Sequence, residues 1–336
     1  MRKRKYLCRI AAVLAVLFSF SACTAGNGDN KESVPVSAEE SHVSTIESNV
    51  PSENSDTSET DGITPALWKV TDKDGNSMYC FGSIHAAEGE IEWPDYFETA
   101  YAACDSLAFE YDITSSLDLE NAIKSMQSYM YMDGTTIKDH IPAADYEQAV
   151  KILTENQMYA STYDYFNVNF WISLMENVCI AQSGLDVMQG VDMQLINRAK
   201  EDGKTVLEVE SEQEQIDMFN NFSDELQVYL LESYLSEEEI ENQTAAIKES
   251  YEKWKKGEDL SENAAEEMTE EEKALSDEYT NALLTQRNIK MADTAESYMQ
   301  SGDTVMMVVG ASHYYGEDGV LSLLQSRGCT VERITG

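Results

Sequence analysis

The feature that most constrains this chain is an unbroken apolar run, TVMMVVG at residues 304–310. A strand with no polar position has no face to give to water, as in a parallel strand covered on both sides. Parallel neighbours need crossovers, usually helical, so the expected fold is α/β around a central sheet. After the run come the loop GASHYYGEDG, a helix-like VLSLLQSRG and a last β-like run, CTVERI.

The folded part opens near Ile63 in a related way. The runs LWKVTD and SMYCFGS flank the turn signal Lys73-Asp74-Gly75-Asn76, which predicts a β-hairpin. The second run leads into Gly82-Ser83-Ile84-His85, then a helix that Pro94 can start, then SLAFEYDI. Alternation along that last run puts Leu107, Phe109 and Tyr111 on one face and Ala108, Glu110 and Asp112 on the other. Both ends of the domain therefore read strand, Gly-x-x-His, helix, cysteine, strand, an approximate internal repeat. Between them, residues 113–301 form a mostly helical insertion, with apolar three and four spacing in AADYEQAVKILTENQ, YFNVNFWISLMENVCIAQ and MQLINRAKEDG. Only KTVLEVE interrupts it as a strand, and the acidic stretch at 232–278 reads as a solvated helical hairpin. The expected fold is thus a central mixed, partly parallel sheet with a large helical insertion between the first and last α/β segments.

Charge narrows the partners. The 336 residues carry 62 Asp and Glu against 23 Lys and Arg, a net charge of -39. A nucleic-acid binder needs a basic face to release phosphate counterions, so that class is excluded. The one basic segment is the N-terminus, where Arg2, Lys3, Arg4, Lys5 and Arg9 border the apolar run IAAVLAVLFSF. That run is far short of the roughly 20 residues that span a bilayer, and the pattern is that of a signal peptide over residues 1–22. Ser21 and Ala22 before Cys23 resemble a bacterial lipobox, although Phe20 stands where an aliphatic residue is usual. The expectation is an extracytoplasmic protein anchored to a bacterial membrane by lipid on Cys23, or secreted if Cys23 is not lipidated. Residues 23–62, rich in Ser, Glu, Asp and Thr, lack the apolar surface to offset chain entropy and read as a disordered tether. His42 within it is a bystander. Cys80, Cys104, Cys179 and Cys329 fit no zinc-ribbon or disulfide framework and read as small buried thiols.

In open parallel sheets ligands bind beyond the carboxyl ends of the strands. Gly82-x-x-His85 and Gly310-x-x-His313 both sit there, and glycine permits the tight turn. A carboxylate at Glu110, in an otherwise apolar strand, is costly unless paired, protonated or bound to metal. Two imidazoles and a carboxylate make a divalent-metal set. The competing reading pairs Glu110 with Arg287 in a structural ion pair and leaves the histidines as capping or solvated loop residues. His140, in TIKDHIP, reads as a turn residue.

Five ordered blocks over about Leu67 to Ile334 resemble the TraB/GumN family, which includes the Tiki-type metalloproteases. They are LWKV with YCFGSIHAAEGEIEWP, then LAFEYDI, GVDMQLINRAKEDGKTVLEVESEQEQ, TQRNIKMA and VVGASHYYGEDGVLSLLQSRGCTV. Carried over residue by residue, the resemblance marks Gly82, His85, Glu110, Gly190, Asp192, Glu210, Gln215, Arg287, Asn288, Gly310 and His313. Ser83 stands for the common Thr, Tyr314-Tyr315 for Leu-Pro or Phe-Val, and Val209-Glu210-Ser211 for Leu-Glu-Thr, which bears on substrate more than on metal chemistry. The resemblance implies an α/β domain with a mixed sheet and a metal-dependent peptidase activity in Tiki members. The resulting expectation is a metal-dependent hydrolase of peptide or protein substrates. His85, His313 and Glu110 would hold Mn, Co, Zn or Fe, and Arg287 would bind a substrate carboxylate or hold Glu210. Gly82, Gly310, Asp192, Glu210, Gln215, Asn288 and Tyr314 would line the substrate or support those groups. The alternative is a non-catalytic lipoprotein that sequesters a secreted peptide or a metal-containing ligand.

Overall fold

A computed structural model describes residues 62–260 and 268–336. The expected signal peptide, Cys23 and almost all of the expected tether lie outside the described residues. The hairpin forms as the turn signal predicts: β1 (Leu67–Thr71) pairs antiparallel with β2 (Ser77–Ser83), with Leu67 opposite Phe81 and Thr71 opposite Ser77. Gly75 supplies the positive φ of the turn at +90°, and the Asp72 carboxylate accepts from the N–H groups of Asp74 and Asn76. Next come α1 (Asp95–Ala103) and β3 (Ser106–Phe109). The insertion supplies α2 (Leu119–Ser128), α3 (Ala143–Glu155), α4 (Val168–Ser183), α5 (Val191–Glu201), β4 (Thr205–Glu208), α6 (Glu212–Asn220), α7 (Asp224–Glu232), α8 (Glu237–Lys255), α9 (Glu270–Thr280) and α10 (Gln286–Met299). The chain closes with β5 (Val305–Gly310), α11 (Val320–Ser326) and β6 (Thr330–Ile334).

The strands form one six-stranded sheet in the order β4-β3-β5-β2-β1-β6. The apolar run is β5, at the middle of the sheet, parallel to β3 on one side and β2 on the other. Only β1 runs against the rest, since β2 and β6 are both antiparallel to it. Alternation divides the two faces. Trp68, Val70, Met78, Cys80, Ala108, Val305, Met307 and Val309 pack under Met291, Ala292, Ala295 and Met299 of α10 and Val320, Leu321 and Leu324 of α11. Phe81, next to Cys80 and so on the opposite face, meets Phe97 of α1 at 4.7 Å between ring centroids.

Three expectations change in detail. SLAFEYDI is a strand only through Phe109, so Glu110 lies one residue beyond β3 and not inside it. The acidic stretch is not a freely solvated hairpin: α8 buries Ile240, Ile247, Tyr251 and Trp254 and packs on α4, while α9 packs beside α7. The stripe is visible at three and four spacing, but the charge of the opposite face obscures it in composition. Cys80, Cys104 and Cys179 are buried, whereas Cys329 is only half-buried.

Candidate functional site

Four parallel strands end on one edge of the sheet and deliver the marked residues to it. Glu208 ends β4, Glu110 follows β3, Gly310 ends β5 and Ser83 ends β2. Register places Ser83 opposite Gly310, so both Gly-x-x-His loops leave neighbouring strand ends. They pack so closely that a Cβ on Gly82 would lie 2.9 Å from the Ala311 Cβ, a contact no side chain tolerates. Trp254 of α8, fully buried, donates its indole N–H to the Gly82 carbonyl at 2.8 Å and braces the first loop.

Glu110 is buried and its carboxylate is surrounded by donors. Oε1 accepts the Gly310 N–H at 2.8 Å, and Oε2 accepts from Arg287 Nη2 at 2.6 Å and from Gln215 Nε2 at 2.9 Å. Gln215 reaches it because Ser211 and Glu214 form a capping box that starts α6 directly after Glu210. Arg287 also clasps Glu210 through Nε and Nη2, at 2.9 and 2.6 Å, and turns Nη1 to the Leu283 carbonyl at 3.2 Å. That carbonyl lies in a π-helical turn, Asn281–Thr285, just before α10, where the widened helix leaves a main-chain acceptor for the guanidinium. Burial opposes ionisation of Glu110, but Arg287 and the Gly310 N–H outweigh it and hold the carboxyl well below the usual carboxylate range.

Each histidine has one nitrogen fixed by an oxygen. His313, buried, lies with Nδ1 2.6 Å from Asn288 Oδ1, and Asn288 donates its own amide to the Asp318 carbonyl at 2.9 Å. The Asn288 amide is thereby oriented, Nδ1 carries the proton, and the bare Nε2 faces Glu110 Oε1 at 3.6 Å. Burial and the Arg287 cation push the His313 pKa down to about 3, so the ring is neutral at pH 7. His85 lies with Nδ1 2.8 Å from Asp192 Oδ2, its side chain 26% exposed while that of Asp192 is 5% exposed. Burial opposes the charge on His85, yet Asp192, aided by Glu110, raises its pKa to about 9. Asp192 reaches the ring because Gly190 lets α5 start against the loop: a Cβ there would lie 2.2 Å from the His85 carbonyl oxygen. The Val191 N–H then donates to the Ile84 carbonyl at 2.9 Å.

Glu110, Arg287, Glu210 and Gln215 thus share one bonded network, His313 with Asn288 faces it across 3.6 Å, and His85 with Asp192 acts electrostatically on it. Tyr314 is apart: its hydroxyl donates to the Met307 carbonyl at 2.6 Å, inside the core under α10 and α11. His140 stacks on Tyr131 at 4.0 Å in the insertion, outside this network. Trp254 and the π-helical turn carry no sequence motif that points to the site.

The donors match a divalent ion in type. An oxygen on each Nδ1 is the arrangement that orients metal-binding histidines; His313 Nε2 is bare, whereas His85, with its pKa raised to about 9, carries a proton on Nε2 at pH 7 that an ion would have to displace. His313 Nε2 and Glu110 Oε1 are two acceptors facing each other with no proton between them, a pair a cation would relieve. Among the described residues, however, no three His, Cys, Asp or Glu side chains stand together closely enough to hold an ion as placed.

The model of the TraB/PrgY/gumN family matches residues 66–333. The chain belongs to that family. No curated protein and no solved structure matches it.

Proposed function

We propose that this chain is a metal-dependent hydrolase of peptides, with His85, His313 and Glu110 as the residues that hold a divalent ion, Mn, Co, Zn or Fe. The observation that carries the reading is the matched pair of histidines on neighbouring parallel strand ends, each fixed at Nδ1 by an oxygen, beside a buried ionised glutamate. A bound divalent ion supplies a water acidic enough to lose its proton near neutral pH. The remaining work falls to the chain's own groups. Asp192 and Asn288 orient the two rings. Arg287, shared with Glu210, keeps Glu110 ionised and so available to an ion as an anionic oxygen donor. His313, neutral, keeps Nε2 as a lone pair. The peptide substrate is supported by the family resemblance alone.

The site is proposed to work outside the cytoplasm, attached through lipid on Cys23. Among the described residues no helix is long and apolar enough to cross a membrane.

The full donor shell of Glu110 favours a second reading, a protein that binds a peptide without cutting it. Turnover separates the two. Purified protein with added Mn²⁺ is incubated with a large molar excess of labelled casein, and cleaved bonds are counted per chain. Many per chain support the hydrolase; depletion of one equivalent without new termini refutes it in favour of the binder.

A further inference from the structure

Ser83, at the end of β2, is 2% exposed, and its Oγ is buried with no hydrogen-bond partner. Buried hydroxyls are nearly always bonded, because an unmade bond is a net cost to the fold. The hydroxyl also stands in a particular place. Ser83 is the registered neighbour of Gly310, so its side chain leaves the sheet on the side toward which a Gly310 Cβ would point. That direction is known: a Cβ on Gly310 would lie 3.2 Å from Glu110 Oε1 and 3.6 Å from His313 Cδ2. Ser83 is one strand spacing away, about 4.8 Å. Because β5 lies between β2 and β3, the unbonded Ser83 donor stands on the same face as Gly310 and one strand over from it, while His313 Nε2 and Glu110 Oε1, facing acceptors 3.6 Å apart, lie at Gly310 itself.

We propose that Ser83 is a further residue of the site, whose hydroxyl hydrogen-bonds an oxygen atom brought in beside Glu110 and His313, either a water or the carbonyl of a substrate. In the metal-free protein a water held there gives its protons to the two acceptors and takes the Ser83 proton on one lone pair; an ion on His313 Nε2 and Glu110 Oε1 would take the place of those two protons. A carbonyl oxygen takes the same Ser83 proton. The hydroxyl has no solvent-exposed surface as placed, so admitting the oxygen requires a local movement of the side chains around it. The proposal rests on the hydrolase reading only for the distinction between water and carbonyl.

The test compares wild type, S83A and S83T by crystal structures that resolve waters and by melting of the metal-free proteins. An orphan hydroxyl reverses the usual sign: S83A should melt at or above the wild-type temperature, since it removes an unmade bond. Wild type and S83T should show an oxygen ligand at about 2.5–3.2 Å from the hydroxyl that S83A lacks. A protein group bonded to Ser83 Oγ, or S83A melting several degrees below wild type, overturns the proposal. Cleavage of labelled casein with Mn²⁺ then divides the two sources. A kcat lowered about tenfold or more at constant KM in S83A, restored by S83T, assigns the water; a raised KM at constant kcat assigns the carbonyl; no change in either overturns the proposal. Wild type that cleaves nothing refutes the hydrolase reading, and the crystal and melting results still decide Ser83.

Discussion

Glu110 accepts from Arg287, Gln215 and the Gly310 N–H, so its carboxylate serves the fold before it serves any ligand. Changing Glu110 to Gln keeps the volume but sets an amide against those donors and leaves Arg287 with Glu210 alone. Breaking a buried ion pair from one side costs roughly 3 to 5 kcal/mol. Urea unfolding of the metal-free E110Q protein should show a loss toward the lower end of that range, since Glu210 still holds the guanidinium; an unchanged midpoint would show that the ion pair does not stabilise the fold. Asp192→Asn tests the other arm. It keeps an oxygen on His85 Nδ1 and removes the charge, so metal affinity should fall about 10- to 100-fold with little change in melting. Equal affinity in wild type and D192N would make Asp192 a mere support for α5. The residue types at His85, His313 and Glu110 were legible because chemistry-bearing residues are scarce in apolar strand ends. The acceptors behind them were not. Nothing in the local pattern tells that Asn288 orients His313 or that Gln215 donates to Glu110, since those partners come from helices far away in the chain.

At the level of elements, the edge of the sheet works because small residues let elements touch. Gly190 is the clearest case, with α5 started against the His85 carbonyl. Gly190→Ala should push α5 off that loop, lower the melting temperature by several degrees and separate Asp192 from His85. The imidazole NMR signals report the second effect, and a G190A spectrum identical to wild type in those signals would show the close approach to be dispensable. Trp254→Phe is milder. It keeps the ring in the core and deletes the bond to the Gly82 carbonyl, a loss of about 0.5–1.5 kcal/mol, and chemical denaturation showing no loss would mean that the first loop stands without this brace. The strands β1, β2, β5 and β6 were readable from apolar runs and the Asp-Gly turn signal, because those patterns report burial directly. The end of β3 was not: alternation continues through Tyr111 in sequence, but β4 pairs with β3 only as far as Phe109 opposite Glu208. The buried stripe of α8 was masked by its acidic outer face.

For the whole molecule, a net charge of -39 makes self-repulsion a standing cost of the compact state. Raising NaCl from about 10 to 150 mM shortens the Debye length from about 30 to 8 Å. The melting temperature should therefore rise with salt, and a fall would show that attractive pairs such as Arg198 with Glu98 and Arg327 with Glu296 dominate instead. The α/β architecture was legible from one apolar run and two similar chain ends, since a strand buried on both faces admits few folds. The strand order was not, because nothing local says that β5 inserts between β2 and β3. That insertion is what brings His85, Glu110 and His313 to one edge, where they are proposed to hold a metal ion. Calorimetric titration of the EDTA-treated protein with Mn²⁺ or Zn²⁺ decides whether they do. One site per chain is expected in wild type, lost in both H85A and H313A while each variant still unfolds cooperatively; a wild-type protein that binds no ion, or variants that bind it as tightly, would contradict the metal site.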